Sequence, residues 1–199
     1  MGKKPTVYDF FGENAALYEQ DKHLFELQRK TAQRALELLE ENTLIREEKI
    51  LDLGCGTGWT MMVLRENGFT NVVGVDFSQD MLRFAVEKGF HVVKADLREK
   101  LPFHDGEFGG VISISSINFV EEGCTTPKEV SDVYRRTATE IYKLLKVNGR
   151  GVIQYFKKNK EIERIMMTQF KYAGFIGGVV IDDKGLRKEK RFLVLDKPS

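Results

Sequence analysis

The stretch ILDLGCGTGWT, residues 50–60, decides the fold. An apolar run ends on three alternating glycines, the pattern of a buried strand that turns sharply into a helix beside a ligand. A dinucleotide fingerprint G-x-G-x-x-G begun at Gly54 would need its third glycine where Trp59 stands, so that spacing fails. A phosphate-cradling P-loop needs Lys and then Ser or Thr after its last glycine, and Gly58 is followed by Trp59 and Thr60. What remains is Asp-x-Gly-x-Gly-x-Gly, from Asp52 to Gly58. A carboxylate at the strand end gives nothing to a pyrophosphate but offers a charge-assisted hydrogen bond to an amino group. Glycines admit close backbone approach, and helix N-terminal N–H groups suit a carboxylate.

Around this loop the chain alternates. A helix is expected over 14–42, with Leu24, Leu27, Ala32, Ala35, Leu36 and Leu39 at helical spacing. Strands are expected at 49–53, 71–76, 91–96, 108–116 and 151–156. Between them lie helical stretches stopped by Gly68 and Gly89, the second N-capped by Ser78, and a long helix over 127–146 ended by NGRG. A last helix (NKEIERIMMTQFKYAG) precedes FIGGVVID and RFLVLDK, which flank the charged loop DKGLRKEKR and read as a terminal hairpin. Strands alternating with helices predict an α/β fold: a mostly parallel sheet with helices on both faces, the hairpin adding an antiparallel edge. The expected organisation is one domain over 1–199, with an N-terminal helical segment (1–47), a cofactor-binding core (48–156) and a terminal helix and hairpin (157–199).

In such a sheet ligands sit beyond the carboxyl ends of the strands. Gly54, Gly56 and Gly58 follow the first strand, Asp76 and Phe77 the second, Asp96 and Leu97 the third, and Ser115 to Phe119 the fourth. Asp76 suits two ribose hydroxyls and Asp96 an adenine amino group, while Phe77, Met81 and Leu97 sandwich the ring. Asp52 takes the amino group. A nucleoside joined to an amino acid satisfies every position, and S-adenosylmethionine is that molecule. Ser113, on the fourth strand, is added to the cofactor-side residues.

The rest of the composition narrows the class. The chain has 199 residues, 42% hydrophobic and 31% charged, with a net charge of +1, so no global field draws it to nucleic acid or membrane. No run has the length of a membrane span, and the first residues, MGKKPTVYDFFGEN, do not read as a signal peptide. A soluble cytoplasmic protein is expected. Cys55 and Cys124 form no CxxC and read as reduced thiols, and His23, His91 and His104 are scattered, so no metal site is expected.

LDLGCGTG, VVGVDFSQDML and ADLREKLPFHDGEFGGVIS resemble the class I S-adenosylmethionine-dependent methyltransferases. The resemblance implies a Rossmann-like, seven-stranded sheet whose last strand is antiparallel. Gly109 departs from it, because that family usually carries Asp before the fourth strand. A narrower resemblance spans nearly the whole chain: YDFFGENAALY, LQRKTAQRALELL, VISISSINFV and TQFKYAGFIGGVVID are similar to the bud-site-selection methyltransferases. That family implies methyl transfer to a guanine N7 in small-subunit ribosomal RNA. N7 carries a lone pair, so no general base is expected, and alignment of the reactants does the work. Asn118 is assigned to the guanine edge, with Phe119 beside it as a second substrate-positioning residue, and Tyr8, Phe11 and Tyr18 to stacking on the base. Phe119 stands where the family usually has Trp, and the family's long basic tail has no counterpart before Ser199. Guidance of an RNA backbone then falls to local clusters: YRR with Lys143 and Lys146, FKKNK, and KGLRKEKR. The resemblance also implies a small zinc-containing activator subunit that adds a strand to the third-strand edge, HVVKADL, at Val92 and Val93; a homodimer through the same edge is the alternative.

Three other functions stay open on the residues alone. One is a small-molecule methyltransferase of the same fold. The second acts on tRNA or on a release-factor glutamine, although SINF replaces the Asn-Pro-Pro-Tyr of amide-nitrogen enzymes. The third binds the cofactor and transfers nothing.

Overall fold

The computed structural model describes residues 6–41, 46–186 and 189–199, apart from the side chains of Val7 and Tyr8. Its elements in chain order are α1 (Glu13–Gln20), α2 (Lys22–Glu40), β1 (Ile50–Leu53), α3 (Trp59–Glu66), β2 (Val72–Asp76), α4 (Gln79–Glu87), β3 (His91–Lys94), β4 (Phe108–Ile114), α5 (Pro127–Leu144), β5 (Leu145–Tyr155), α6 (Lys160–Tyr172), β6 (Ile176–Asp182) and β7 (Lys190–Asp196). A short 3-10 turn, Val7–Phe10, precedes α1, and another, Ile117–Phe119, follows β4.

The strands form a seven-stranded sheet in the order β3-β2-β1-β4-β5-β7-β6. The first five pair with one another in parallel, and β7 runs antiparallel to both β5 and β6. The expected Rossmann-like architecture is therefore present, with the terminal hairpin at one edge of the sheet. β7 inserts between β5 and β6, and β6 takes the edge. Gly177 permits the close approach, because a Cβ there (φ +130°) would collide with the Val194 carbonyl oxygen. At the opposite edge β3 exposes His91 and Lys94 and half-buries Val92 and Val93.

Alternate residues of the central strands feed two cores. Leu51, Leu53, Phe108, Val111 and Ile153 pack with α5 and α6, whereas Ile50, Ile112 and Val152 pack with α2 and α3. Strands buried on both faces need continuous apolar runs, which is why β1 and β4 are buried at every position. Each buried large side chain contributes about 1.5–3 kcal/mol.

Two local readings change. The expected helix over 14–42 divides at Asp21, whose extended backbone and side chain, accepting from the Leu24 N–H, cap α2; the end of that expected range, 42, lies outside the described residues. NGRG does not end the long helix. That helix stops at Leu144, and Asn148 (φ +63°) and Gly149 lie within β5, where the pairing with β4 jumps from Phe108↔Leu145 to Gly110↔Arg150. The backbone there is held by the tail, with Asn148 N–H donating to the Lys197 carbonyl and Lys197 N–H to Gly149. Gly109 also has a reason. A Cβ there would fall 2.5 Å from the Glu48 carboxylate, which occupies the space and pairs with Lys146 at 2.6 Å.

No described helix is long and apolar enough to cross a membrane.

Candidate functional site

The strand order reverses between β1 and β4, and a cleft of about 1080 Å³ opens there beyond the strands' carboxyl ends. That exceeds the usual span of a single small-molecule pocket, roughly 300–1,000 Å³.

One half of the cleft is built by the loops after β1, β2 and β3. Gly54, Gly56, Asp76, Phe77, Asp96 and Leu97 line it at the strand ends, and Met81 lines it from α4. Gly54 (φ +73°) and Gly56 (φ +53°) hold conformations open to glycine, and a Cβ on Gly54 would come within 2.2 Å of the Ser116 Cβ. Asp76, buried at the end of β2, fixes the loop. Its two oxygens accept from the N–H groups of Gly56 and Ser78, each at 2.9 Å, and each keeps a lone pair for a ligand hydroxyl. Burial pushes the Asp76 carboxyl up, and these backbone donors oppose that shift. Asp96 is gripped by Arg98, at 2.6 Å to Nη2 and 3.0 Å to Nε. Burial would raise the Asp96 carboxyl, but the Arg98 hydrogen bonds prevail and hold it below the ordinary range.

Asp52, Gly58 and Ser113 sit behind the wall rather than on it, which corrects their expected direct contact. Gly58 (φ +87°) is the N-cap of α3, where a Cβ would press on Phe90 and Ala85. Ser113 is fully buried, donates to the Leu53 carbonyl at 2.9 Å and bonds Ser116 Oγ at 2.7 Å, so it supports the glycine loop from beneath. Asp52 is 1% exposed, and neither carboxylate oxygen has a hydrogen-bond partner among the described residues. Burial, and then the Asp76 charge, push its carboxyl well above the ordinary range. A buried carboxylate with no partner fits a ligand that brings positive charge, as the amino group and sulfonium of S-adenosylmethionine do.

The other half gathers residues from distant parts of the chain. Phe119 and Asn118 come from the turn after β4, Tyr155 to Lys158 from the end of β5, Arg191 from the start of β7, and Phe10 and Tyr18 from the N-terminal segment. Phe119 meets Phe10 edge-on at 5.3 Å, Phe10 meets Tyr18 at 5.9 Å, and Tyr18 stacks on Trp59 at 4.5 Å. Tyr18 lines the cleft, and burial, followed by the Asp76 charge, pushes its hydroxyl up, so it stays neutral. Phe11 is 39% exposed and packs on Phe77 at 5.3 Å outside the cleft, which corrects its expected place. Its neighbour Phe10 takes that place instead. The Tyr8 side chain lies outside the described residues. The Asn118 amide donates to the Phe156 carbonyl at 2.9 Å and accepts from the Phe156 N–H at 2.6 Å. It joins two loops and lines the cleft, and one amide N–H and one oxygen lone pair remain beyond these two bonds.

The N-terminal segment is fastened over the cleft through α4. Ser78 Oγ donates to the Phe10 carbonyl, Gly12 N–H donates to Asp80 at 2.7 Å, and Lys88 pairs with Glu19 at 2.6 Å.

Sequence reasoning missed Tyr155 and read Phe156 to Lys158, like Arg191, only as parts of basic clusters for an RNA backbone. The strand-end rule, applied to β5, points to residues 155–158. Arg191 opens an antiparallel strand opposite Tyr155, so its start lies where the parallel strands end. The basic clusters are largely paired: Lys157 with Glu163, Lys158 with Glu121, Arg191 with Glu163 and Glu189, Arg135 with Asp132, and Lys146 with Glu48. Arg187 and Lys188 lie outside the described residues.

Comparison with known proteins agrees with this geometry. The family model for the methyltransferase domain matches residues 51–153. The 18S rRNA (guanine-N(7))-methyltransferase bud23 of Schizosaccharomyces pombe is 30% identical over 187 residues, covering 91% of this chain and 67% of its own length. The Bos taurus 18S rRNA (guanine-N(7))-methyltransferase is 33% identical over 197 residues, covering 94% and 66%. The chain spans about two thirds of the length of these relatives. Among solved structures, a complex of the Haloferax volcanii Trm112 methyltransferase activator with a protein described as a methyltransferase shares the fold at a TM-score of 0.69, with 19% identity and 98% coverage of both chains. The strand-end aspartates, the glycine cradle and these matches together place the chain in the class I S-adenosylmethionine-dependent methyltransferases, within the family of the 18S rRNA (guanine-N(7))-methyltransferases.

Proposed function

We propose that this chain methylates N7 of a guanine in small-subunit ribosomal RNA, in the cytoplasm and together with a small zinc-containing activator subunit docked on the β3 edge. The observation that carries the acceptor is identity of 30–33% to the two 18S rRNA (guanine-N(7))-methyltransferases over nearly the whole chain, acceptor half included. S-adenosylmethionine supplies a sulfonium-activated methyl group, which a guanine N7 lone pair takes without prior loss of a proton.

The chain's own residues then bind and align. Gly54 and Gly56 accommodate the amino-acid end, Asp52 answers its charge from below, Asp76 takes the ribose hydroxyls, and Asp96 with Phe77, Met81 and Leu97 holds the adenine. Phe119, Phe10 and Tyr18 give apolar faces for a flipped-out base, which must leave its stack to enter. None of the three histidines lines the cleft, and the lining Lys157 and Lys158 are held in ion pairs. At the β3 edge, half-buried Val92 and Val93 between exposed His91 and Lys94 offer unpaired backbone to a partner strand. The Haloferax volcanii complex is the precedent for such a partner. A homodimer through the same edge is the alternative assembly.

Incubation of the chain with methyl-labelled cofactor and ribosomal subunits, with and without the activator, tests this reading. Label in small-subunit RNA, increased by the activator, is the expected result. Label confined to small molecules or to tRNA contradicts it.

A further inference from the structure

The acceptor half contains a buried charge that methyl transfer does not itself use. Glu121 follows the Ile117–Phe119 turn, and only 2% of its side chain is exposed. The buried Tyr134 hydroxyl faces this carboxylate. Burial, and then the Glu121 charge, push the Tyr134 hydroxyl up, so the phenol supplies no counter-charge. A buried carboxylate is strongly disfavoured unless a cation faces it. Lys158, from the end of β5, is that cation: Nζ lies 2.7 Å from Glu121 Oε1 and donates to the Asn118 carbonyl at 3.2 Å. The Asn118 amide ties the same turn to the Phe156 backbone. Both links bind the turn that carries Phe119 to the strand end that carries Tyr155 and Phe156.

Resting on the reading of this half as the acceptor site, we infer that Lys158 is a positioning residue for methyl transfer. Its ammonium group, anchored by Glu121, clamps the Ile117–Phe119 turn to the end of β5 and so aims Phe119 at the acceptor. Lys158 also lines the cleft, and a direct contact with the acceptor is the rival role. The two roles differ in what Glu121 does. A direct contact survives loss of Glu121; a clamp does not.

The test measures cofactor affinity and acceptor kinetics for Lys158→Met, Glu121→Gln, their double variant and Lys158→Arg. For a clamp, each of the first two lowers acceptor kcat/KM by about tenfold or more, as expected for a sub-ångström to ångström misplacement. Cofactor affinity stays within about twofold, and the double variant is no worse than either single one, because a shared interaction is lost only once. Lys158→Arg keeps the charge and retains activity within about threefold. Wild-type activity in Lys158→Met overturns the inference. So does a loss in Lys158→Met with Glu121→Gln unaffected, or an equal loss of cofactor affinity. If the wild-type chain labels no RNA, the proposed acceptor fails, and amide exchange decides the clamp instead. Lys158→Met should then speed exchange at Phe119, Val120 and Phe156 by about tenfold while β1 stays protected. Unchanged exchange at those amides overturns it.

Discussion

The two halves of the cleft are built by opposite means. The donor half comes from short loops after three neighbouring parallel strands, and its shape is a backbone shape: positive φ at Gly54 and Gly56, and two N–H groups fastened to Asp76. The acceptor half is a side-chain shape, assembled from residues as far apart as Phe10, Phe119, Tyr155 and Arg191. Backbone requirements leave residue types at fixed spacing, whereas a wall of distant aromatics leaves no local pattern. The difference explains why the donor is the easier of the two substrates to name.

The comparison breaks most visibly at Asp76. Asp76→Lys removes the acceptor for two backbone donors and buries a like charge beside them, with hydrogen bonds to a charged group each worth about 1.5–3 kcal/mol. Cofactor affinity measured by calorimetry should fall by about 100-fold or more, since each 1.4 kcal/mol is tenfold. Retained binding would mean that the donor half is not organised by this carboxylate.

Gly54→Ala comes next. It places a methyl group where Ser116 already stands, at a φ unfavourable to any Cβ. Overpacking of this kind costs about 1–3 kcal/mol, readable as a lower denaturation midpoint. Because Gly54 and Ser116 touch across the boundary, this variant should impair both halves. A defect in cofactor affinity alone would mean that the halves are independent.

Much of the fold was legible in the residues, and the reasons are local. Gly68, Gly89 and the Ser78 cap punctuate helices by chain geometry alone, and continuous apolar runs mark strands covered on both faces. The break at Asp21 was legible only as a cap, and the long α2 periodicity hid it. The bulge at Asn148 and Gly149 depends on the Lys197 backbone, remote in sequence. The position of β7 was beyond local reading, because a hairpin fixes pairing within itself and not which of its strands meets β5. The block TQFKYAGFIGGVVID, which carries much of the narrower resemblance, holds no cleft residue. Gly177 permits close strand approach, and Gln169 donates to Ser131, so the block marks the family through packing. In the candidate site, Asp76, Phe77, Asp96 and Leu97 line the cleft where the strand-end rule puts them, and Met81 reaches it from α4. Phe10 and Phe11 could not be told apart, since only the docking of the Phe10 carbonyl on Ser78 decides which ring faces inward.

Phe119→Ala sharpens the comparison from the acceptor side. The ring's edge contact with Phe10 is worth about 0.5–1.5 kcal/mol, and stacking on a base about 1–3 kcal/mol. Acceptor kcat/KM should drop by roughly tenfold to 100-fold, the range those energies imply, with cofactor affinity unchanged. A matching loss of cofactor affinity would place Phe119 in the donor half.

The smallest effect is expected at Asp52, and it depends on pH. Burial, and then the Asp76 charge, raise its carboxyl in the folded chain. Its stabilising contribution is therefore complete below the unfolded value of about 3.9 and is lost as pH rises through the raised folded value. Asp52→Asn abolishes that loss, so the ligand-free variant should gain about 1–3 kcal/mol over wild type near neutral pH, the penalty of a buried polar group without a partner. The gain should shrink toward acid pH in urea unfolding, while cofactor affinity weakens. A difference independent of pH would contradict a buried, unpartnered carboxylate.

The measurement that bears most directly on the proposed reaction is N7-specific strand scission of small-subunit ribosomal RNA after incubation with the wild-type chain, its activator and S-adenosylmethionine. Cleavage at a single guanine, lost in Asp76→Lys and reduced in Phe119→Ala, is the predicted result. Methyl incorporation without N7 cleavage, or cleavage that survives Asp76→Lys, would contradict it.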